Sequence, residues 1–262
     1  MTIPTLFLAW TDPQSRSWFP IGRLTFDRDI YQFVYTEGAR TAQSKTNFPL
    51  LHSFPKLEIE YRSHELFPLF ANRVMRPSRP DYNDYIKWLD IPRDRDDPIA
   101  ILSRSGGRKA TDSFEIFPRP EPDENGLYHI HFFAHGLRYM PKCSSDRIKS
   151  LQPNERLYLT HDFQNPYDSK ALLLCTEDRY NVGYCPRYLV ADILGICQKK
   201  RDLVCVHVER INPSPTPLQF RLLCNMTAEW PKEFSPFLER EYEPIVSENQ
   251  LQPLQEKMSI SV

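Results

Sequence analysis

Hydrophobic positions recur along this chain in short runs of two kinds. Residues 6–10, 18–24 and 31–35 are strand-forming runs separated by Asp12-Pro13 and by the turn residues 27–29. Runs bounded in this way predict three strands, the opening of a small barrel or curled sheet. Residues 65–73 and 81–89 instead carry apolar side chains at helical spacing, with Tyr82, Tyr85, Ile86 and Leu89 on one face, and predict two short helices. A polar loop at 103–109 and a strand at 113–118 follow. Further on, residues 128–133, 156–161, 171–175, 204–211 and 220–224 read as strands, and 187–199 as a helix.

Residues 118–126 are rich in proline and acid and lack apolar periodicity, the composition of a linker. The expected organisation is therefore a first domain over 1–120, a linker over 121–127, a second domain over 128–226 and a flexible tail over 227–262. The fold class is mostly β with short helices (α+β), in two small domains, the second a mostly antiparallel barrel. Four prolines and three alternating glutamates, Glu239, Glu241 and Glu243, place the tail loosely over the surface.

Composition removes several functions. Only 8 glycines occur, and none falls into the G-x-G-x-x-G or G-x-x-x-x-G-K-S/T pattern, so the usual nucleotide-phosphate loops are excluded and no cofactor is expected. No nucleophile elbow, zinc cluster or spaced acidic set for two-metal chemistry is visible, so the chain is read as a non-enzyme. Asp162-Phe163-Gln164 lacks the glycine of a magnesium-binding D-F-G. The six cysteines form no C-x-x-C pair, and the N-terminus lacks the pattern of a secretory signal, so reduced thiols and a cytoplasmic protein are expected. No apolar run approaches the ~20 residues of a spanning helix.

Charge is balanced overall, 33 basic against 34 acidic residues, but not along the chain. Residues 127–226 hold 13 basic and 9 acidic residues, whereas 227–262 hold 3 and 7. Polyanion binding, if present, is expected in the middle segment. There, Arg138-Tyr139, Asn165-Pro166-Tyr167-Asp168, Val182-Gly183-Tyr184 and Arg187 mix aromatic rings with cationic or amide groups. Rings stack on unpaired bases for about 1–3 kcal/mol each, while cations and amides hold phosphate. Asn-Pro-Tyr-Asp is also a good turn in which the tyrosine only packs, Arg187 also fits a solvated helix face, and Gly183 a backbone requirement.

These residues carry a resemblance. Phe133-Ala134-His135-Gly136-Leu137-Arg138-Tyr139, then Asn165-Pro166-Tyr167-Asp168 with Ala171, then Val182-Gly183-Tyr184 and a helix resemble the HIRAN domain over about 128–226. That family holds the 3′-hydroxyl end of single-stranded DNA in an OB-like barrel at the front of DNA-remodelling enzymes. The resemblance implies that Tyr139 and Tyr167 sandwich the terminal base and that Asp168 accepts from the 3′-hydroxyl. It also implies that Arg138, Asn165 and Arg187 meet backbone or base edges. Tyr184 departs from the family pattern, which has histidine there, and a phenol is an uncharged, weaker phosphate donor.

The first half resembles the N-terminal subdomain of HipA-type kinases through Ile21-Gly22-Arg23-Leu24, residues 65–73 and Ser105-Gly106-Gly107-Arg108, over about 5–118. This implies a docking module and, as the alternative function, an antitoxin-like or adaptor subunit for a HipA-type kinase. The expected partners are thus single-stranded DNA ends, with such a kinase or a DNA-remodelling enzyme beside them. Three weaker features remain. His129, His131 and His135 have a spacing open to metal binding but more usual for surface or core histidines. Residues 103–109 offer basic groups and backbone donors to phosphate. The tail glutamates could cover the cationic groove.

Overall fold

The computed structural model describes residues 4–199, 204–229 and 234–246. The predicted meander is present as β1 (Thr5–Thr11), β2 (Trp18–Asp27) and β3 (Ile30–Tyr35), joined by β4 (Tyr61–Ser63) and β5 (Phe114–Pro118). They form one antiparallel sheet in the order β4-β3-β2-β1-β5. The second half contributes β6 (Leu127–Phe133), β7 (Arg156–His161), β8 (Leu172–Cys175), β9 (Asn181–Tyr184), β10 (Val204–Ile211) and β11 (Leu222–Glu229). Their order is β6-β11-β10-β7-β8-β9, again antiparallel. Just past β6, His135 exchanges both backbone hydrogen bonds with Tyr184 at 2.9 Å, linking the two edges of this sheet. The result is a curled half-barrel, consistent with an OB-like fold.

The helices are α1 (Glu37–Thr46), α2 (Pro68–Ala71), α3 (Tyr82–Leu89), α4 (Pro98–Ser105), α5 (Lys142–Ser150) and α6 (Arg187–Lys199). Helix α4 starts where Asp97 accepts from the Ile99 and Ala100 amides ahead of Pro98, and it ends at Gly106; an N-cap acceptor and a left-handed C-terminal glycine explain both limits. It takes in residues 103–105, the beginning of the expected polar loop. Helices α1 and α5 escape a periodicity search for a physical reason. The buried face of α1 is Gly38, Ala39 and Ala42, and that of α5 is Ser144 and Ile148, too little apolar area to register as a stripe. Gly38 lets α1 lie directly on β2, because a β-carbon there would stand 1.9 Å from the Pro20 carbonyl oxygen.

The expected linker is an ordered turn. The Asp123 carboxylate accepts from the amides of Asn125 and Leu127, and Pro122 bridges to Tyr128. The apolar core also runs across it: Phe7, Ala9 and Phe117 of the first sheet pack in one cluster with Tyr128, Leu174, Tyr188 and Ile193. A second shared cluster joins Tyr85, Ile86 and Leu89 of α3 to Phe133, Phe220 and Leu223.

The structure differs most from expectation after residue 226. Strand β11 continues to Glu229, and residues 234–246 return to the first half as a strap. Phe237 and Tyr242 are buried, stack at 4.7 Å, and each meets the Phe7 ring at 5.3 Å. The Glu37 amide donates to the Glu243 carbonyl and the Ile245 amide to the Tyr35 carbonyl. Two buried rings outweigh a polar, proline-broken composition that on its own favours a loose chain. The expected tail residues 247–262 lie outside the described residues.

Candidate nucleic-acid interface

The β7–β8 loop is built by its own side chains. The Asp162 amide donates to the Ala171 carbonyl at 2.9 Å and closes the loop. Inside it the Asn165 amide oxygen accepts from the Tyr167 and Asp168 amides, both at 3.0 Å. This is the turn chemistry of an asparagine before proline, and it turns the Tyr167 ring outward, 71% exposed. The Asp168 carboxylate accepts from the Lys170 amide at 3.0 Å and from Arg187 Nε at 2.7 Å, while Arg187 Nη2 reaches the Tyr167 carbonyl at 3.4 Å. Arg187 opens α6, so the helix start and the loop hold each other.

Tyr184 joins this loop to the one that carries Tyr139. Its hydroxyl donates to Asp162 at 2.9 Å, and Asp162 also receives the Asn165 side-chain amide at 3.4 Å. Burial and the Asp162 carboxylate push the Tyr184 phenol up. The Tyr184 ring lies over Gly136, where a β-carbon would come within 2.8 Å of it. Gly136 has φ 71 and begins the short turn Leu137–Tyr139; a left-handed backbone and a ring against the α-carbon both call for glycine. At the turn's end Tyr139 is 68% exposed, with the Arg138 guanidinium 4.6 Å from its ring centre and bonded to its hydroxyl.

The predicted set is therefore brought together as two loops bridged by Tyr184, but its members divide by role. Tyr139, Tyr167 and Arg138 point to solvent. Asn165 Oδ1 and the Tyr184 hydroxyl make hydrogen bonds within the loop and brace it. Gly183 is a backbone requirement, since a β-carbon there would meet Ala134 and the His135 carbonyl at 3.0 Å. Phe163, within Asp162-Phe163-Gln164, is 84% exposed and lies tilted against the His161 ring, 4.2 Å between ring centres, with His161 Nε2 fixed by the Ser169 carbonyl at 2.7 Å. The signal for it was proximity: a second aromatic on the Asn165 loop.

Part of the positive charge here is paired within the fold. Arg147 pairs with Glu155 and Asp178, Lys149 with Asp146, Arg210 with Asp90 and Arg187 with Asp168. Arg108, from the stretch considered for phosphate binding, pairs with Glu115 at 2.8 Å. The three histidines do not converge. His135 lies between Arg108 and Glu115 with 3.4 Å contacts, Nδ1 toward Arg108 and Nε2 toward Glu115, which places its single proton on Nε2. Burial, then Arg108, drives it down to about 3. His131 faces Glu209 at 3.5 Å, and burial with Arg104 drives it down to about 4. Among the described residues no group of three or more side chains is arranged to hold a metal ion. The tail glutamates do not cover the loops, since Glu241 lies beside Arg40 and Lys45 of α1.

Residues 127–230 match the HIRAN domain family. The match begins at β6 and does not extend to the stretch resembling HipA. The crystal structure of the HIRAN domain of human HLTF is 23% identical, covers 39% of this chain and 74% of that chain, and aligns with a TM-score of 0.29. A crystal structure of a protein from Lactobacillus plantarum is 16% identical, covers 39% of this chain and 97% of that one, and aligns with a TM-score of 0.30. No curated protein matches the chain. No helix among the described residues is long and apolar enough to cross a membrane, and the six cysteines are unpaired. The HIRAN match supports nucleic-acid binding by the second half.

Proposed function

We propose that this protein binds single-stranded DNA at a free 3′-hydroxyl end through residues 127–230, by recognition alone and with no covalent step. The observation that carries the reading is the exposure of Tyr139 and Tyr167, 68% and 71%, on two loops bridged by Tyr184 beside the Asp168–Arg187 pair. Two large exposed rings on bridged loops offer a surface that a partner can cover, and an unpaired base is the partner that matches two such rings and adjoining polar groups. Tyr139 and Tyr167 stack on the terminal base. Asp168, with each oxygen already bonded once, keeps lone pairs to accept the 3′-hydroxyl. A terminal phosphate offers only acceptor oxygens to that carboxylate, so the hydroxyl's hydrogen bond is lost, which gives the end preference its cause.

The test is fluorescence anisotropy at one fixed salt concentration, with a short strand ending in 3′-hydroxyl and the same strand ending in 3′-phosphate. Wild type should bind the hydroxyl end more tightly, and Tyr167→Ala should remove that binding while the protein stays folded. Equal affinity for the two ends refutes end recognition, and no affinity for either refutes the function.

A further inference from the structure

The β1–β2 turn, residues 12–17 of the first half, reaches the loops just described. The Arg187 guanidinium that binds Asp168 through Nε at 2.7 Å donates from Nη1 to the Arg16 carbonyl at 3.3 Å. One planar guanidinium therefore separates Asp168 from the backbone of Arg16. The turn is held firmly. The Asp12 carboxylate accepts from the Ser15 amide at 2.8 Å and the Ser15 hydroxyl at 2.6 Å, and the Arg16 amide donates to the Asp12 carbonyl at 3.0 Å. Arg16 consequently has φ 60, a left-handed conformation uncommon for a residue with a β-carbon. Its side chain is exposed, and among the described residues it takes part in no ion pair. A non-glycine residue kept in a left-handed turn, with its carbonyl docked on Arg187 and its cation in solvent, points to a use for the side chain.

We infer that Arg16 is a phosphate contact, so that the nucleic-acid site is composite, with the first half supplying a cation to the strand leaving the Asp168 end. This rests on the reading under Proposed function and extends it. Arg187 is neutralised by Asp168 and cannot by itself hold a backbone phosphate beside that carboxylate, so the phosphate next to the bound end requires a cation from elsewhere. The Arg16 backbone stands one guanidinium away from Asp168, within reach for its exposed side chain, whose bidentate fork suits a phosphate. The carbonyl contact also makes the turn a support for Arg187. The isolated HIRAN-matched segment would lack both the support and the cation.

The experiment uses the full chain and a single strand of nine nucleotides with a free 3′-hydroxyl, and measures affinity by anisotropy across a series of salt concentrations. Arg16→Asn keeps a residue that tolerates the left-handed backbone and leaves the carbonyl in place. It should weaken binding about tenfold at low salt, the size of one charge-assisted contact, and lower the slope of log affinity against log salt by about 0.7. Arg16→Lys should restore the slope and only part of the affinity. If wild type and Arg16→Asn share affinity and slope, the composite site is wrong while single-strand binding stands. If wild type binds no strand, the underlying reading fails and this one with it. A loss of affinity with an unchanged slope overturns the phosphate contact, since the variant keeps the carbonyl that supports Arg187.

Discussion

Asp192 offers the sharpest test of how the strap is held. It lies in α6, 5% exposed, and accepts from the Tyr128 hydroxyl at 3.1 Å and from the Phe237 amide at 3.2 Å. Burial pushes its carboxyl up to about 7, against the opposing pull of these two hydrogen bonds. A rise from 3.8 to about 7 corresponds to about 4 kcal/mol between the protonation states. The sign follows from proton binding. Between about pH 4 and pH 7 the folded protein keeps a proton on Asp192 that the unfolded chain has released, so this group lowers stability as pH rises through that window, with the full loss above it. Asp192→Asn resembles the protonated acid: Oδ1 accepts from Phe237, and the amide donates to the Tyr128 oxygen. His131 and His135 titrate in the opposite sense, being held below their ordinary range in the folded state, so the informative quantity is the difference between variant and wild type. Urea unfolding followed by circular dichroism at pH 4, 5.5, 7 and 8 should give curves that coincide at pH 4 and diverge, with the variant more stable by up to about 4 kcal/mol at pH 8. Parallel curves would mean that Asp192 is ionised in the folded protein throughout, and the reasoning fails.

Three further outcomes are expected. Phe7→Ala removes a ring packed against Phe117, Phe237 and Tyr242 and should destabilise by about 3–5 kcal/mol; calorimetry should show both halves melting in one transition, and two separate transitions would contradict the shared core. Gly136→Ala forces a β-carbon against Tyr184 at φ 71 and should lose more than about 1 kcal/mol of stability, together with single-strand affinity; wild-type values of both would show that the Tyr184 bridge does not position the Tyr139 turn. Phe163→Ala changes a ring 84% exposed, so the melting temperature should stay within a few degrees while affinity falls by the ~1–3 kcal/mol of one base stack; unchanged affinity would exclude Phe163 from the interface.

Much of the barrel was legible because its strands and one helix announce themselves locally. Residues 156–161, 187–199 and 204–211 read directly as β7, α6 and β10, since period-2 and period-3.6 burial leave different marks on sequence. Strand β11 was read too early, at 220–224, because Leu218–Phe220 is an apolar 3-10 turn that continues the same hydrophobic run. The two site loops were legible because turn chemistry is local: Asn165 before Pro166 builds the Tyr167 turn from neighbouring amides. What Tyr184 does with its hydroxyl was not, because Asp162 and Tyr184 are partners 22 positions apart.

The sequence by itself determined most of the strands, the helices α2, α3 and α6, the aromatic and polar residues of the two loops and the absence of nucleotide-phosphate motifs, all of which depend on residues within one or two turns of each other. Only the tertiary structure decided that the halves share a core through Phe7 and Phe117, that residues 234–246 strap back onto β3 and α1, and that Arg187 is clasped between Asp168 and Arg16. Those contacts join residues far apart in the chain, Arg187 and Arg16 by 171 positions and Ile245 and Tyr35 by 210. Their energies come from burial and pairing that exist once the chain is folded, and no local pattern encodes them.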